Sequence, residues 1–139
     1  MKGSIMFNQI KRTGTFTIIA SIAMVMLFSA CSSSQSAPES VVAEYLSAMA
    51  VQDSDSMVAL STANWETNAL IDADSLTNVS TELQGLECKT IHSDSETADV
   101  VCSGQLVLTY NDEDRAIELN SFTYHLVKVN NDWLIDSRS

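Results

Sequence analysis

Positive charge is what this chain has least of: seven Lys and Arg stand against 18 Asp and Glu in 139 residues. Three of the seven, Lys2, Lys11 and Arg12, fall in the first twelve positions, while every acidic residue lies beyond Cys31. The segment after residue 30 therefore keeps only Lys89, Arg115, Lys128 and Arg138 against 18 acids, a formal charge of −14. Such a body is repelled by nucleic-acid phosphates and by anionic headgroups, which argues against nucleic-acid binding. No apolar run reaches the roughly 20 residues that a transmembrane helix needs. No G-x-S-x-G, P-loop or dinucleotide fingerprint occurs, so catalysis is unsupported and no cofactor is implied.

What is present begins with an export signal. The basic head is followed by Phe16–Phe28, an apolar core of thirteen residues, within the roughly 7–15 of a secretory h-region. Leu27-Phe28-Ser29-Ala30-Cys31 then resembles a bacterial lipobox, with Phe28 where Leu is commonest. The resemblance implies removal of residues 1–30 and attachment of lipid to Cys31. Two or three acyl chains would anchor the protein stably to a membrane, each buried methylene contributing about 0.8 kcal/mol. Ser32, rather than an aspartate, follows the cysteine. By the same resemblance an outer-membrane, periplasm-facing location is expected in a Gram-negative cell. An uncleaved signal anchor, or plain secretion with a chance cysteine, is the alternative.

Thirty residues taken from 139 leave 109, one domain by length. Residues 31–37 form a polar tether (Ser32–Ala37 reads SSSQSA), and the domain occupies 38–139. With Cys31 assigned to lipid, Cys88 and Cys102 remain as an even pair, which in an exported domain reads as a disulfide; two buried free thiols are the alternative.

The first half of the domain has helical spacing. Ser36 and Glu39 around Pro38 suggest a capping box, and Val42, Tyr45, Leu46 and Met49 form one stripe of a helix over about 38–51. Asp53 can cap a second helix over about 54–61. Trp65 opens a less regular stretch that includes Leu70 and Ile71. Asp74 can cap a third helix carrying Leu76, Val79 and Leu83, ended by Gly85.

Beyond Gly85 the period becomes two. Ala98, Val100, Cys102, Gly104, Leu106 and Leu108 share one face, and Ile117 and Leu119 continue after a turn over Asn111–Asp114. Phe122, Tyr124 and Leu126 resume in the opposite phase, which predicts a β-bulge at Asn120–Ser121. This register sets Leu108 opposite Ile117 and Cys102 opposite Tyr124. A hairpin about Ser95 pairs Thr97 with Ser93, Ala98 with His92, and Cys102 with Cys88. Asn130-Asn131-Asp132 turns the chain so that Trp133 and Ile135 face Lys128 and Leu126. The expectation is α+β: three helices, then four antiparallel strands in meander order, the curved sheet wrapping the first helix.

The capped helix with V-V-x-x-Y-L-x-A-M, the M-V-A-L of the second helix and the closing F-T-Y-H-L-V-K-V-N-N-D-W-L-I-D resemble the NTF2-like, cystatin-like α+β cone, and within it small exported lipoproteins. The resemblance covers about 38–137 and rests on packing patterns rather than a catalytic signature. The anchor, the tether, the compact disulfide-clamped domain and the lack of a catalytic motif together lead to the expectation of a domain that binds an envelope protein or a small ligand without catalysis. The rival is an enzyme acting on a small hydrophobic substrate inside the cone. Tyr45 and His125 are the pocket candidates, with Asp99 or Asp136 able to orient His125. A surface histidine is the plainer reading. Asp53-x-Asp55, Asp72-x-Asp74 and Asp112-Glu113-Asp114 could offer oxygens to calcium, but none has the twelve-residue loop, and the first two read as helix caps. No metal is expected. Val101, Val107, Val127 and Val129 mark the opposite sheet face as a candidate interaction surface.

Overall fold

A computed structural model describes residues 36–139. Residues 1–30, Cys31 and positions 32–35 of the tether lie outside the described residues.

Helix α1 (Pro38–Ala50) forms where the apolar stripe runs, burying Val41, Val42, Tyr45, Leu46, Ala48 and Met49. The expected capping box is not made. Ala37 occupies the cap without a side-chain bond, and Pro38 in the first turn removes one of the N–H groups that need capping. Glu39 instead accepts a hydrogen bond from the Thr90 hydroxyl on the sheet. Helix α2 (Ser54–Ala59) is capped as expected: Asp53 Oδ1 accepts from the Ser56 N–H at 3.1 Å and Oδ2 from its hydroxyl at 2.6 Å. It stops two residues early because Leu60 and Thr62 bond to Ile135 instead.

Helix α3 (Glu66–Ser75) overturns the expected third helix. The stretch read as irregular is helical, with Ala69 and Ala73 buried, and the stretch from Ser80 is strand. Leu76, Val79 and Leu83 fit a helical spacing, but Thr81 and Leu83 are half-buried between exposed Ser80, Glu82 and Gln84, which is a strand's alternation. Asn78, at φ 64°, breaks the chain between the two. Gly85 does adopt a left-handed conformation, φ 64°, in a bulge rather than at a helix end. Asp72 and Asp74 lie in the last turn of α3 and cap nothing at its start.

The sheet has five strands: β1 (Ser80–Ser93), β2 (Thr97–Tyr110), β3 (Glu113–Glu118), β4 (Thr123–Val129) and β5 (Asp132–Arg138). The order is β1-β2-β4-β5, all antiparallel, with β3 pairing the second half of β2 while β4 pairs its first half. Four strands were expected because residues 115–127 read as one bulged strand. The phase change there is real, but a three-residue 3-10 turn (Leu119–Ser121) makes it and separates β3 from β4.

The β2–β3 turn is shorter than expected. Asn111 and Asp112, at φ 51° and 64°, close it in two residues, the positive-φ geometry that suits a tight hairpin. Leu106 thus faces Ile117, Leu108 faces Arg115, and Val100 faces Tyr124. A slip of two residues leaves every side chain on its expected face, so Ala98, Val100, Cys102 and Leu106 are buried as the alternation demands.

Between β1 and β2, Cys88 faces Cys102 as expected, with the sulfurs 2.03 Å apart, disulfide distance. Nearer the turn, Ile91 bulges out, so Ser93 faces Ala98 and His92 faces Asp99, one residue from the expected pairing. Gly104, at φ 102°, answers the Gly85 bulge; a Cβ there would lie 2.5 Å from the Gln84 carbonyl oxygen. The β4–β5 register is the expected one, Lys128 to Trp133 and Leu126 to Ile135, around Asn130 and Asn131 at φ 50° and 77°. No helix among the described residues is long and apolar enough to cross a membrane.

Candidate functional site

A cavity of about 140 Å³ opens between the last turn of α3 and the inner face of the sheet. Met49, Leu76, Leu106, Leu119, Phe122 and Tyr124 supply most of its apolar wall, and Asp72 and Arg138 its charged mouth. Asp72 projects from the same side of α3 as Ala69 and Ala73, a carboxylate among buried small residues. Arg138 reaches the site through an irregularity at Asp136. Trp133 and Ile135 point inward, and strict alternation would bring Ser137 in next. The register shifts by one residue, so Ser137 faces His125 and Arg138 faces Tyr124 on the inner side.

The guanidinium grips Asp72 with both ends: Nη1 to Oδ2 at 2.8 Å and Nη2 to Oδ1 at 3.2 Å. It lies 5.0 Å from the Phe122 ring centre, 5.3 Å from Trp65 and 6.0 Å from Tyr124, distances at which ring faces attract a cation. Tyr45, wholly buried, donates from its hydroxyl to Asp72 Oδ2 at 3.2 Å and accepts from Trp65 Nε1 at 3.1 Å. The result is one chain of bonds, Trp65 to Tyr45 to Asp72, closed by Arg138. No buried side-chain nitrogen or oxygen among the described residues lacks a partner.

Protonation follows from this packing. Burial, then the Asp72 charge, pushes the Tyr45 hydroxyl well above its ordinary value, and burial likewise raises Tyr124. Burial alone would lower Arg138, but the bonds to Asp72 and its charge outweigh it and the net shift is upward. The site therefore holds a neutral tyrosine and a mutually neutralised ion pair beside an apolar hollow.

The two pocket candidates are not brought together. Tyr45 is core on the inner side; His125 projects to the outer face, where Nδ1 stands 2.7 Å from Asp99 Oδ1 and Nε2 2.9 Å from Ser139 Oγ. Asp136 binds elsewhere, accepting from the Thr62 hydroxyl at 2.8 Å and Asn64 Nδ2 at 3.2 Å. Val101, Val107 and Val127 are half-buried on the outer face and Val129 is exposed. Among the described residues no three His, Cys, Asp or Glu side chains converge as metal ligands. Asp114 accepts from the Thr109 hydroxyl at 2.6 Å.

Sequence reasoning missed the Asp72–Arg138 pair. The available signal was Asp72 at i+3 from Ala69 and beside Ala73, a carboxylate on a small-residue face that one of only four cations must answer.

No protein-family model matches this chain, and no curated protein does. Solved structures do align with it. RPA3114, a SEC-C motif containing protein from Rhodopseudomonas palustris, aligns at 10% identity with a TM-score of 0.51, over 73% of this chain and 77% of that one. A variant of Rv3472, a function unknown protein from Mycobacterium tuberculosis, aligns at 15% identity with a TM-score of 0.52, over 71% of this chain and 65% of its own length. An NTF2-like designed protein aligns at 16% identity with a TM-score of 0.47, over 72% of this chain and 92% of that one. At such identities the first two establish a shared α+β fold of helices on an antiparallel sheet.

Proposed function

We propose that this chain is a lipid-anchored envelope protein whose NTF2-like domain binds an apolar group of a partner protein without catalysing a reaction. The observation that carries the binding reading is the cavity between α3 and the sheet, mainly apolar, with Ser75 and the paired Asp72 and Arg138 as its polar residues. Its volume of about 140 Å³ suits a single Leu, Ile or Phe side chain. Small-molecule sites are usually larger, roughly 300–1,000 Å³. The charged groups at its mouth already satisfy each other, which favours recognition over proton transfer. The alternative, an enzyme using the cone on a small hydrophobic substrate, would have as the base inside it Asp72, whose carboxylate Arg138 and Tyr45 already engage, while His125 stands on the other face of the sheet.

The anchor is supported by the basic head, the thirteen-residue apolar core and the lipobox-like Leu27–Cys31. It would hold the domain at a membrane surface, facing the periplasm if the cell is Gram-negative. Labelled palmitate should enter the wild-type protein and not Cys31→Ser; labelling of both removes the anchor from the proposal. For the cavity, Trp65 reports through its contact with Arg138. Titration with short leucine- or phenylalanine-rich peptides should give a saturable change in tryptophan fluorescence, lost in Ser75→Phe, which blocks the rim. An unchanged signal with every peptide would sink the binding reading.

A further inference from the structure

The two edges of the sheet are finished differently. At the β5 edge, Ile135 donates its N–H to the Leu60 carbonyl at 2.9 Å and accepts from the Thr62 N–H at 2.8 Å, so the α2–α3 connection covers it. At the other edge β1, fourteen residues long, pairs among the described residues with β2 alone. Cys88 and Cys102 stand with their Cα atoms 4.0 Å apart, the close spacing of a non-hydrogen-bonded pair. Alternation then turns the backbone N–H and C=O of Cys88 and Thr90 away from β2, toward the open edge. Such a row is a template for another strand. Bulges at Gly85–Leu86 and at Ile91 bound the regular stretch to Glu87–Thr90.

The side chains of that stretch select the partner. Glu87 and Lys89 flank Cys88, 3.5 Å from each other, with side chains 67% and 74% exposed. Laid antiparallel against a copy of itself, Cys88 opposite the partner's Cys88, the strand sets Glu87 opposite the partner's Lys89 on both sides of the two-fold axis. Centring the pairing on Glu87 or on Lys89 instead sets like charges directly opposite, which is destabilising. One register is thus favoured by charge, and it is the one in which the outward backbone groups of Cys88 meet their own counterparts.

We propose that β1 is a self-pairing edge, through which two copies of this chain join their sheets with Cys88 on the two-fold axis and a Glu87–Lys89 pair to either side. The contact is short, and the dimer belongs to the weak class of interfaces. Sedimentation equilibrium of the full chain in density-matched detergent, at up to about 1 mM, tests this. The expected result is a monomer–dimer equilibrium. Glu87→Lys and Lys89→Glu each turn both pairs into like charges and should weaken dimerisation at least about tenfold. The double exchange E87K/K89E rebuilds both pairs with opposite sense and should restore the wild-type constant to within about threefold. Circular dichroism of all variants should be unchanged, since both positions are exposed. A monomer throughout, a dimer indifferent to the single reversals, or a double exchange that fails to restore it overturns the proposal.

Discussion

Asp72–Arg138 on the inner side of the sheet and Asp99–His125 on the outer side are both pairs of a carboxylate with a nitrogen base, each closed at 2.7–2.8 Å. They differ in everything else. The inner side chains are 18% and 23% exposed, gripped at two points, backed by a buried tyrosine and flanked by three rings. The outer ones are 35% and 40% exposed and meet at one point. Equal distances therefore do not mean equal energies, because water competes for the outer pair and is largely excluded from the inner one.

That difference can be broken or sharpened by experiment. The largest effect should come from the link that closes the inner face. Replacing Cys88 and Cys102 by alanine should cost about 3 kcal/mol of unfolding free energy in urea denaturation, and most of that gap should close when wild type is measured reduced. Arg138→Ala strands Asp72 half-buried and should cost about 2 kcal/mol, while D72L/R138L should recover most of that loss. If the single and double variants are equally destabilised, the pair is not the source of the cost.

Tyr45→Phe deletes a hydroxyl that donates to Asp72 and accepts from Trp65, and should cost about 1 kcal/mol by the same measurement. It also carries a pH signature. Tyr45 and Tyr124 are both raised above 10.0 in the folded state, so the folded chain holds protons that the unfolded chain releases. Their contribution is fully present below pH 10 and is lost as pH rises beyond it. Urea midpoints should fall above pH 10, less steeply in Tyr45→Phe than in wild type; parallel slopes would contradict the assignment. The smallest effect belongs to the outer pair. His125→Ala should change stability by no more than about 0.5 kcal/mol. A loss as large as that of Arg138→Ala would erase the contrast between the two sides.

Much of this arrangement was legible in residues. The stripe Val42, Tyr45, Leu46, Met49 is core, the alternation through β2 names its buried face, and the pairs Cys88–Cys102, Lys128–Trp133 and Leu126–Ile135 follow from counting outward from turns. Local patterns failed where they fit two structures. Leu76, Val79 and Leu83 suit one helix by spacing, but Leu76 ends α3 and only pairing with β2 decides for strand at Leu83. The Asn111–Asp112 turn was misjudged by two residues without cost to the faces, because a slip of two preserves the side-chain period.

What this sequence determined alone is therefore what short-range periodicity and turn chemistry encode: helices before strands, which residues face inward, and an acidic body. What only the tertiary structure decided is the site. A one-residue shift at Asp136 turns Arg138 inward, and the packing of α3 against the sheet brings to it a carboxylate 66 residues away. No local pattern records a bulge whose reason is a partner so distant in the chain.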